Sequence, residues 1–361
     1  MNLIKIDDLK AIVKNVVDSA MIGGTDFTAT FEDITGLANK IVGQVFLDGD
    51  YSEGLDDLSG FSAEFANTIE EYFENFVSPT DYDETGANAL APSRPTWQKP
   101  SYSSRCGRKV LKTTKDLGSI QKAFHSPEAY EACVNTITKR LFDSLELYLN
   151  EQRRGLLGFD ADKLISVEKD TAFATSTAYV AGARVKGGVI VKDLAKASNT
   201  YASLSAAATA GYAVELDLST TLAKPTDEAT GEAFIESVKK YVEKFGKPQQ
   251  GYSYNGNIAG KAPTYKLYIV EGIMPDIEVK TLAGAINEKR LGFGVEVVPV
   301  KNLGSSSAYA LLIDPRGVRL HNAYRAVREQ PNGEGDFINY YIHDDEIMFF
   351  SPNVMGHAWH E

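Results

Sequence analysis

The chain is short of the residues that build covalent or metal-held scaffolds. Cys106 and Cys133 are the two cysteines in 361 residues, and they form no CxxC pair. That excludes a disulfide framework or a zinc ribbon. Histidine is scarce too, at five residues, and the one close pair is His357 with His360. A structural zinc takes four ligands, and the sequence indicates no third. No apolar run approaches the ~18 residues that a membrane span requires. The opening Met1-Asn2-Leu3-Ile4-Lys5-Ile6-Asp7-Asp8 lacks the apolar core of a signal peptide, so a soluble protein of cytosolic origin is expected. Fibrous repeats are missing. Basic residues are outnumbered, 37 against 49 acidic, for a net charge of −12. Such a surface does not wrap nucleic acid, because phosphate binding needs positive charge. It stays soluble beside DNA without adhering to it.

What is present suffices for one large or two ordinary cores: 43% of residues are hydrophobic, with 18 Tyr and 17 Phe. Residues 1–77 read as a helical arm. Asp7 or Asp8 caps a stripe of Leu9, Ile12, Val13 and Val16, a second helix spans about 30–45, and a third carries Phe61, Phe65, Ile69, Phe73 and Phe76. It ends at Ser78-Pro79. Residues 78–122 change character, with Pro79, Pro92, Pro95 and Pro100 and little core periodicity. A loop of this length without its own core is functional or disordered, and the run from Arg105 to Thr114 suits one strand of a ribbon. Next, Ser126-Pro127-Glu128 is a helix start. Its stripe of Tyr130, Val134, Ile137, Leu141, Leu145 and Tyr148 leads to Arg153 and Arg154, with Gly155 as the stop. The spacing predicts a spine helix over 126–154, about 40 Å long.

Short strands follow over 161–204, among them Gly188-Val189-Ile190-Val191. A helix over 227–245 buries Phe234, Ile235, Val238, Tyr241, Val242 and Phe245 and ends at Gly246. Strands at 265–270 and 295–300 flank a helix near 281–291. Asp314-Pro315-Arg316-Gly317 is a turn between strands at 309–313 and 318–321. Asp344, Asp345 and Glu346 read as an acidic turn between strands at 337–342 and 347–350. The fold class is α+β, helices early and sheets late.

Charge is unevenly spread. From Ile41 to Ser93 there is no Lys or Arg, while Arg94, Lys99, Arg105, Arg108, Lys109, Lys112, Lys115 and Lys122 follow with Asp116 the only acid among them. An arm without a core of its own lies on a neighbouring subunit, where complementary charge fixes its register. A pair of solvated faces is the competing reading. On the first reading Arg94, Trp97, Lys99, Arg105, Arg108, Lys109, Lys112 and Lys115 are inter-subunit contacts, and reversing Arg105, Arg108 and Lys109 blocks assembly without unfolding the chain.

A search for catalytic chemistry finds none. Gly256 to Gly260-Lys261-Ala262 has the wrong spacing for a phosphate loop and no hydroxyl after the lysine. Gly292-Phe293-Gly294 lacks the third glycine of a dinucleotide site. Ser305, Ser306 and Ser307 lack the second glycine of a nucleophile elbow. Cys133 reads as packing on the spine helix. Cys106, between Arg105 and Arg108, is placed where cations lower a thiol pKa, but a surface cysteine without function is the favoured reading. No catalytic, cofactor or metal residue is assigned, and no enzyme activity is expected.

The order of elements carries more than any motif. The extended stretch includes Ala91-Pro92-Ser93-Arg94-Pro95-Thr96-Trp97 and Gly107-Arg108-Lys109-Val110. The long helix follows it, and the late strands around Ala310-Leu311-Leu312-Ile313-Asp314-Pro315-Arg316-Gly317-Val318 lead to 337–350. In that order the chain resembles, over nearly its whole length, the major capsid proteins of tailed bacteriophages with the Hong Kong 97-type fold. The resemblance implies an N-terminal arm (1–77), an E-loop (78–122), a P-domain with the spine helix (123–204), an A-domain (205–335) and closing P-domain strands (336–361). It implies self-assembly into hexamers and pentamers of an icosahedral shell around double-stranded DNA that is not specifically bound. Scaffolding, portal and decoration proteins are the implied partners. The implied location is the virion after assembly in the host cytoplasm, with no membrane and no cofactor. An encapsulin-type compartment around cargo protein, a tail or other virion protein, and a hydrolase with unfamiliar motifs are the alternatives.

Overall fold

The computed structural model describes residues 53–62, 67–74, 97–116, 127–280, 293–335 and 337–361, with the backbone alone given for 97, 115, 116, 127–138 and 278–280. The helices expected near 9–16, 30–45 and 281–291 lie outside these residues. In chain order, short strands β1 (Ile69–Glu70), β2 (Phe73–Glu74), β3 (Trp97–Gln98) and β4 (Ser101–Tyr102) precede β5 (Lys109–Asp116). Helix α1 (Pro127–Ser166) leads to β6 (Arg184–Val185), β7 (Gly188–Ile190), α2 (Leu204–Thr209), β8 (Ala213–Glu215) and β9 (Ser219–Thr221). Then come α3 (Glu228–Phe245), β10 (Lys266–Val270), α4 (Ile273–Lys280), β11 (Glu296–Val300), β12 (Ala308–Ile313), β13 (Val318–Asn332), β14 (Phe337–Phe350) and β15 (Gly356–His360).

A five-stranded sheet in the order β11-β10-β12-β15-β9 holds the largest core. Both of its faces are buried, so β12 reads Ala-Tyr-Ala-Leu-Leu-Ile without polar alternation and is buried throughout. Tyr268, Leu311 and Ile313 pack with Leu156, Leu157, Leu164 and Ile165 of α1 on one side. On the other, Leu267, Ile269, Leu312 and Trp359 pack with Phe234, Ile235, Val238 and Phe245 of α3. The expected 227–245 helix is found with its cap: the Asp227 carboxylate accepts from the Thr230 amide at 2.8 Å, and the Thr230 hydroxyl accepts from the Asp227 amide at 3.1 Å.

A second, three-stranded sheet, β13-β14-β5, is antiparallel throughout. Its inward side chains Leu111, Val327, Tyr340 and Ile342 meet Leu141, Leu145 and Leu149 of α1. Helix α1 therefore seats its earlier turns on this sheet and its later turns on the five-stranded one. A small third sheet, β6-β7-β8, has its own core of Val185, Ile190, Ala207 and Ala213.

Three expectations are corrected here. The spine helix does not stop at Gly155 but runs on to Ser166, about 60 Å in all. Gly158 and Gly304 serve the contact between the helix and the loop before β12: a Cβ on Gly158 would stand 2.2 Å from the Leu303 carbonyl oxygen, and one on Gly304 would stand 3.1 Å from the Gly155 Cα. Arg153 and Arg154 are consequently mid-helix and bind Glu146 and Glu53. The helix expected through Phe61, Ile69 and Phe73 is not found over 67–74, where the chain is extended with β1 paired to β4 and β2 to β3; Phe65 and Phe76 lie outside the described residues. Before it, Leu55 and Leu58 plug the core beneath α1, and Asp57 binds Lys266. The acidic run 344–346 is not a turn. It lies in the middle of β14, which pairs from Phe337 to Phe350 with β13, a strand that extends from Val318 to Asn332 rather than ending near 321 and that bulges at Ala323, between the partners of Glu346 and Asp345.

The glycine contact is testable. Gly158→Ala is expected to lower the unfolding free energy by about 1–3 kcal/mol through overpacking. Gly155→Ala, whose new Cβ meets nothing within 4 Å, is expected to be neutral or stabilising by up to ~1 kcal/mol. Urea melts of the two variants check the contrast.

Candidate assembly surface

Much of the basic stretch lies on its own chain. Lys99 binds Glu70 at 2.8 Å and sits 5.0 Å over the Tyr72 ring; its ammonium pKa is raised, chiefly by the hydrogen bond to Glu70. The Tyr102 hydroxyl donates to Glu71 at 2.7 Å. Arg105 binds Asp345 and donates to the Asn67 side chain at 3.0 Å. The main chain follows β14 as well: the Cys106 amide donates to Glu346 O at 2.9 Å and the Met348 amide to Ser104 O at 2.8 Å. Beyond Gly107, whose φ is +84°, β5 pairs with β14 from Lys109↔Asp344 to Asp116↔Phe337. Within 97–116 the expectation of a segment with no seat on its own subunit is therefore corrected. Its seat is a hydrogen-bonded strand edge, which leaves little apolar periodicity to read. Arg94 lies outside the described residues, and Trp97 and Lys115 are placed by backbone alone, in β3 and β5.

The side chains of this sheet divide into two unlike faces. Inward, Asp344 and Glu346 of β14 are buried. Arg325 of β13 bonds Asp344 at 2.8 Å and Glu346 at 2.9 Å, and Asn322 donates to Glu346 at 2.8 Å. Burial dominates both carboxyls. It raises Asp344, against the Arg325 charge, and pushes Glu346 up to about 7, with Asp344 adding repulsion and Asn322, Arg325 and Arg153 opposing it. Cys106 is pushed up to about 12 by burial and then by the Glu346, Asp344 and Asp345 charges. The thiol that two flanking arginines seemed to activate is thus a neutral, protonated group. Sequence neighbours pointed the wrong way because the strand partner supplies the field.

Outward, Arg108 lies 4.5 Å over Tyr324, and Arg328 donates to the Tyr324 hydroxyl at 3.2 Å. Lys112 lies 5.6 Å over Tyr341, whose hydroxyl donates to Gln330 at 3.4 Å. Thr114 bonds Asn339 at 2.6 Å. Val110 is 51% exposed and stands opposite His343. Lys112 is exposed, as is Lys109, which stands opposite Asp344 and so belongs to the other face of the sheet. Sequence reasoning found Arg108, Lys109 and Lys112 but missed Tyr324, Arg328 and Tyr341. The period-two spacing of Tyr324, Ala326, Arg328 and Gln330 was the signal for Tyr324 and Arg328, and Tyr341 joins them only through the pairing of β14 with β13.

The His357 and His360 pair faces opposite ways. His357 stacks on Tyr241 with ring centroids 3.5 Å apart and meets the Thr220 hydroxyl at 2.8 Å, while His360 lies by Thr221 and Glu168. Burial pushes the His357 imidazole down to about 3, so it stays neutral. Ser306 donates to Asp162 at 2.6 Å. Among the described residues no group of three or more His, Cys, Asp or Glu side chains is arranged to hold a metal.

The inward carboxyls set a sign for pH dependence. Glu346 is raised from 4.5 to about 7 on folding, so its contribution is fully favourable below the lower value and is lost as pH rises through the upper one. Glu346→Gln is expected to melt higher than the parent at pH 8, by on the order of 1–3 kcal/mol. The difference should vanish towards pH 4.5. Thermal melts of both chains across that range check it.

The comparisons with known proteins come down on one side. A family model for the Phi29-like phage major capsid protein matches residues 10–359. No curated protein matches. Among solved structures, the capsid structure of Staphylococcus phage Andhra superposes with a TM-score of 0.59 at 10% identity, covering 89% of this chain and 87% of that one. The structure of the head fiber and inner core protein gp22 of native bacteriophage P68 gives a TM-score of 0.52 at 9% identity, covering 89% and 88%. At such identities the likeness speaks for the fold. With nearly its whole length matched, the chain belongs to the Phi29-like phage major capsid protein family and is a structural component of the virion capsid with the Hong Kong 97-type fold.

Proposed function

We propose that the chain assembles, as hexamers and pentamers of identical subunits, into a closed icosahedral shell around double-stranded DNA. The family match over residues 10–359 carries this reading. Under it the N-terminal arm and the E-loop residues before 97 reach towards neighbours, while 97–116 stay seated on their own chain. Helix α1 and the β13-β14-β5 sheet form the P-domain, which takes 318–332 from the A-domain expected at 205–335, and the five-stranded sheet with α3 forms the A-domain, which takes in 356–360 from the closing P-domain strands. The role is structural rather than catalytic. Assembly takes place in the host cytoplasm, with scaffolding, portal and decoration proteins as partners.

Physical features support a building block of this kind. A single 40-residue helix braces two sheets, so a load on one is passed to the other without a hinge. The net charge of −12 keeps the walls from adhering to DNA. The inter-subunit roles fall first on Arg108, Lys109 and Lys112, which are exposed, and on Arg94, Trp97 and Lys115. Lys99 and Arg105 already bind Glu70 and Asp345 of their own chain, and their part in assembly is to hold the stretch in place.

The purified chain, alone or with its scaffolding partner, is expected to form closed, uniform particles under negative stain and to sediment as a large species. Monomers, tubes or open sheets under every assembly condition would overturn the proposal. Arg105→Glu, which sets a carboxylate against the buried Asp345, is expected to lower the subunit melting temperature by several degrees. Lys109→Glu is expected to leave it within about a degree, as differential scanning fluorimetry would report.

A further inference from the structure

Helix α1 seats most of its circumference on the two sheets and leaves one narrow stripe open. From Ser144 onward its exposed positions are Ser144, Leu147, Glu151, Gly155, Phe159 and Asp162. Two of these are large and apolar, Leu147 at 46% and Phe159 at 48% exposure. Phe159 is also held in place, edge-on to Phe350 with ring centroids 5.4 Å apart. Gly155 weakens a helix interior, yet nothing in its own chain stands within 4 Å of where its Cβ would be. The subunit's own packing does not ask for a glycine there. A backbone approaching from outside does.

We propose that this stripe pairs, antiparallel, with the same stripe of a second copy of the chain. The inference rests on the self-assembly reading and deepens it. Hexamers and pentamers that close a shell meet one another across two-fold axes, and a two-fold contact must be self-complementary. The stripe is. Its six positions stand three, four, four, four and three residues apart, a spacing that reads the same from either end. With the axis midway between Glu151 and Gly155, Leu147 lies against Phe159 of the second copy. Glu151 then lies against Gly155 of the second copy, where the missing side chain makes room and lets the helices close to about 8–10 Å. Ser144 falls opposite Asp162 of the second copy, and Arg140, one turn earlier, brings the opposite charge to it. Neighbouring registers fail. An axis at Glu151 presses two carboxylates together, and one at Gly155 sets each Glu151 against a Phe159. A helix of a scaffolding protein is the weaker occupant, since a stripe built for a different partner needs no such symmetry.

Cysteine cross-linking of the full chain tests the pairing. In a Cys106→Ser, Cys133→Ser background, Leu147→Cys with Phe159→Cys sets two thiols about 18 Å apart along one helix. A disulfide spans a Cα separation of at most ~7 Å, so a bond between positions 147 and 159 joins two copies. Under mild oxidation the double variant is expected to run as a dimer on a non-reducing gel, with that bond found by mass spectrometry. Either single variant is expected to cross-link at least about tenfold less, because like positions stand about 18 Å apart across the axis. Gly155→Trp, added to the double variant, is expected to keep subunit melting within about a degree while cutting the cross-linked fraction and the particle yield at least about tenfold. Particles of the double variant that stay monomeric on the gel overturn the pairing and leave self-assembly standing. If Leu147→Asp then abolishes co-sedimentation with scaffolding protein, the scaffold is the occupant. A bond between two copies of position 147, or two of 159, overturns the pairing as well, since the stripes then meet in another register. Should the double variant melt early, Ser144→Cys with Asp162→Cys replaces it and must join two copies in the same way. The cross-link without particles counts against the shell alone, and the absence of both counts against both readings.

Discussion

Strand β14 is the element on which the rest of the molecule depends. It runs for 14 residues between two partners, pairing with β13 along one edge and with β5 and its approach along the other. An antiparallel strand satisfied on both edges has no slack in register, since a slip of one residue exchanges its two faces. Here the exchange would carry Asp344 and Glu346 outward and Tyr341 and His343 into the Leu141, Leu145 and Leu149 surface. The inward face therefore holds the outward one in place, and the outward one is where the cations and tyrosines stand.

That arrangement has an electrostatic cost at its centre. Two buried carboxyls, Asp344 and Glu346, share Arg325, and burial holds both above the ordinary carboxylate range. Pairing and hydrogen bonds offset part of the desolvation, as expected of a buried ionic group. In return, the segment 104–106 is held by Arg105 on Asp345 and by main-chain bonds to β14. The strand thus joins the stretch, the hairpin and, through Arg153 near Glu346, the brace helix.

The legible parts of the fold were those governed by local pattern. The capping of α3 by Asp227, the β10 and β12 strands and the Asp314 turn all followed from residue spacing. What escaped were features decided by partners distant in sequence. Gly155 read as a helix stop because nothing local says that packing on both sheets carries the helix on to Ser166. Asp344-Asp345-Glu346 read as a turn because three acids are foreign to a strand interior until Arg325 and Arg105 are beside them. Ile69 and Phe73 have helical spacing yet lie in strands, where β4 and β3 supply main-chain partners. For the surface, Arg108, Lys109 and Lys112 were legible as charge, while Tyr324, Arg328 and Tyr341 were not, since the face they form is assembled from three strands. The raised pKa of Cys106 was illegible for the same reason, since the carboxylates behind it come from β14.

An acidic subunit that must meet copies of itself faces a conflict between range and register. At about 0.15 M salt, charge is screened beyond ~8 Å, so the repulsion between two chains of net charge −12 fades until they are nearly in contact. What acts at contact is local, and there unlike charges attract while like patches repel. Exposed ion pairs contribute about 0–1 kcal/mol each, too little to trap a misplaced subunit. A shell made of many such contacts gains strength from their number and keeps each one reversible, which lets errors dissolve before closure. The strong interactions, the buried ladder on β14 and the α1 brace, are kept inside the subunit, where reversibility is not needed.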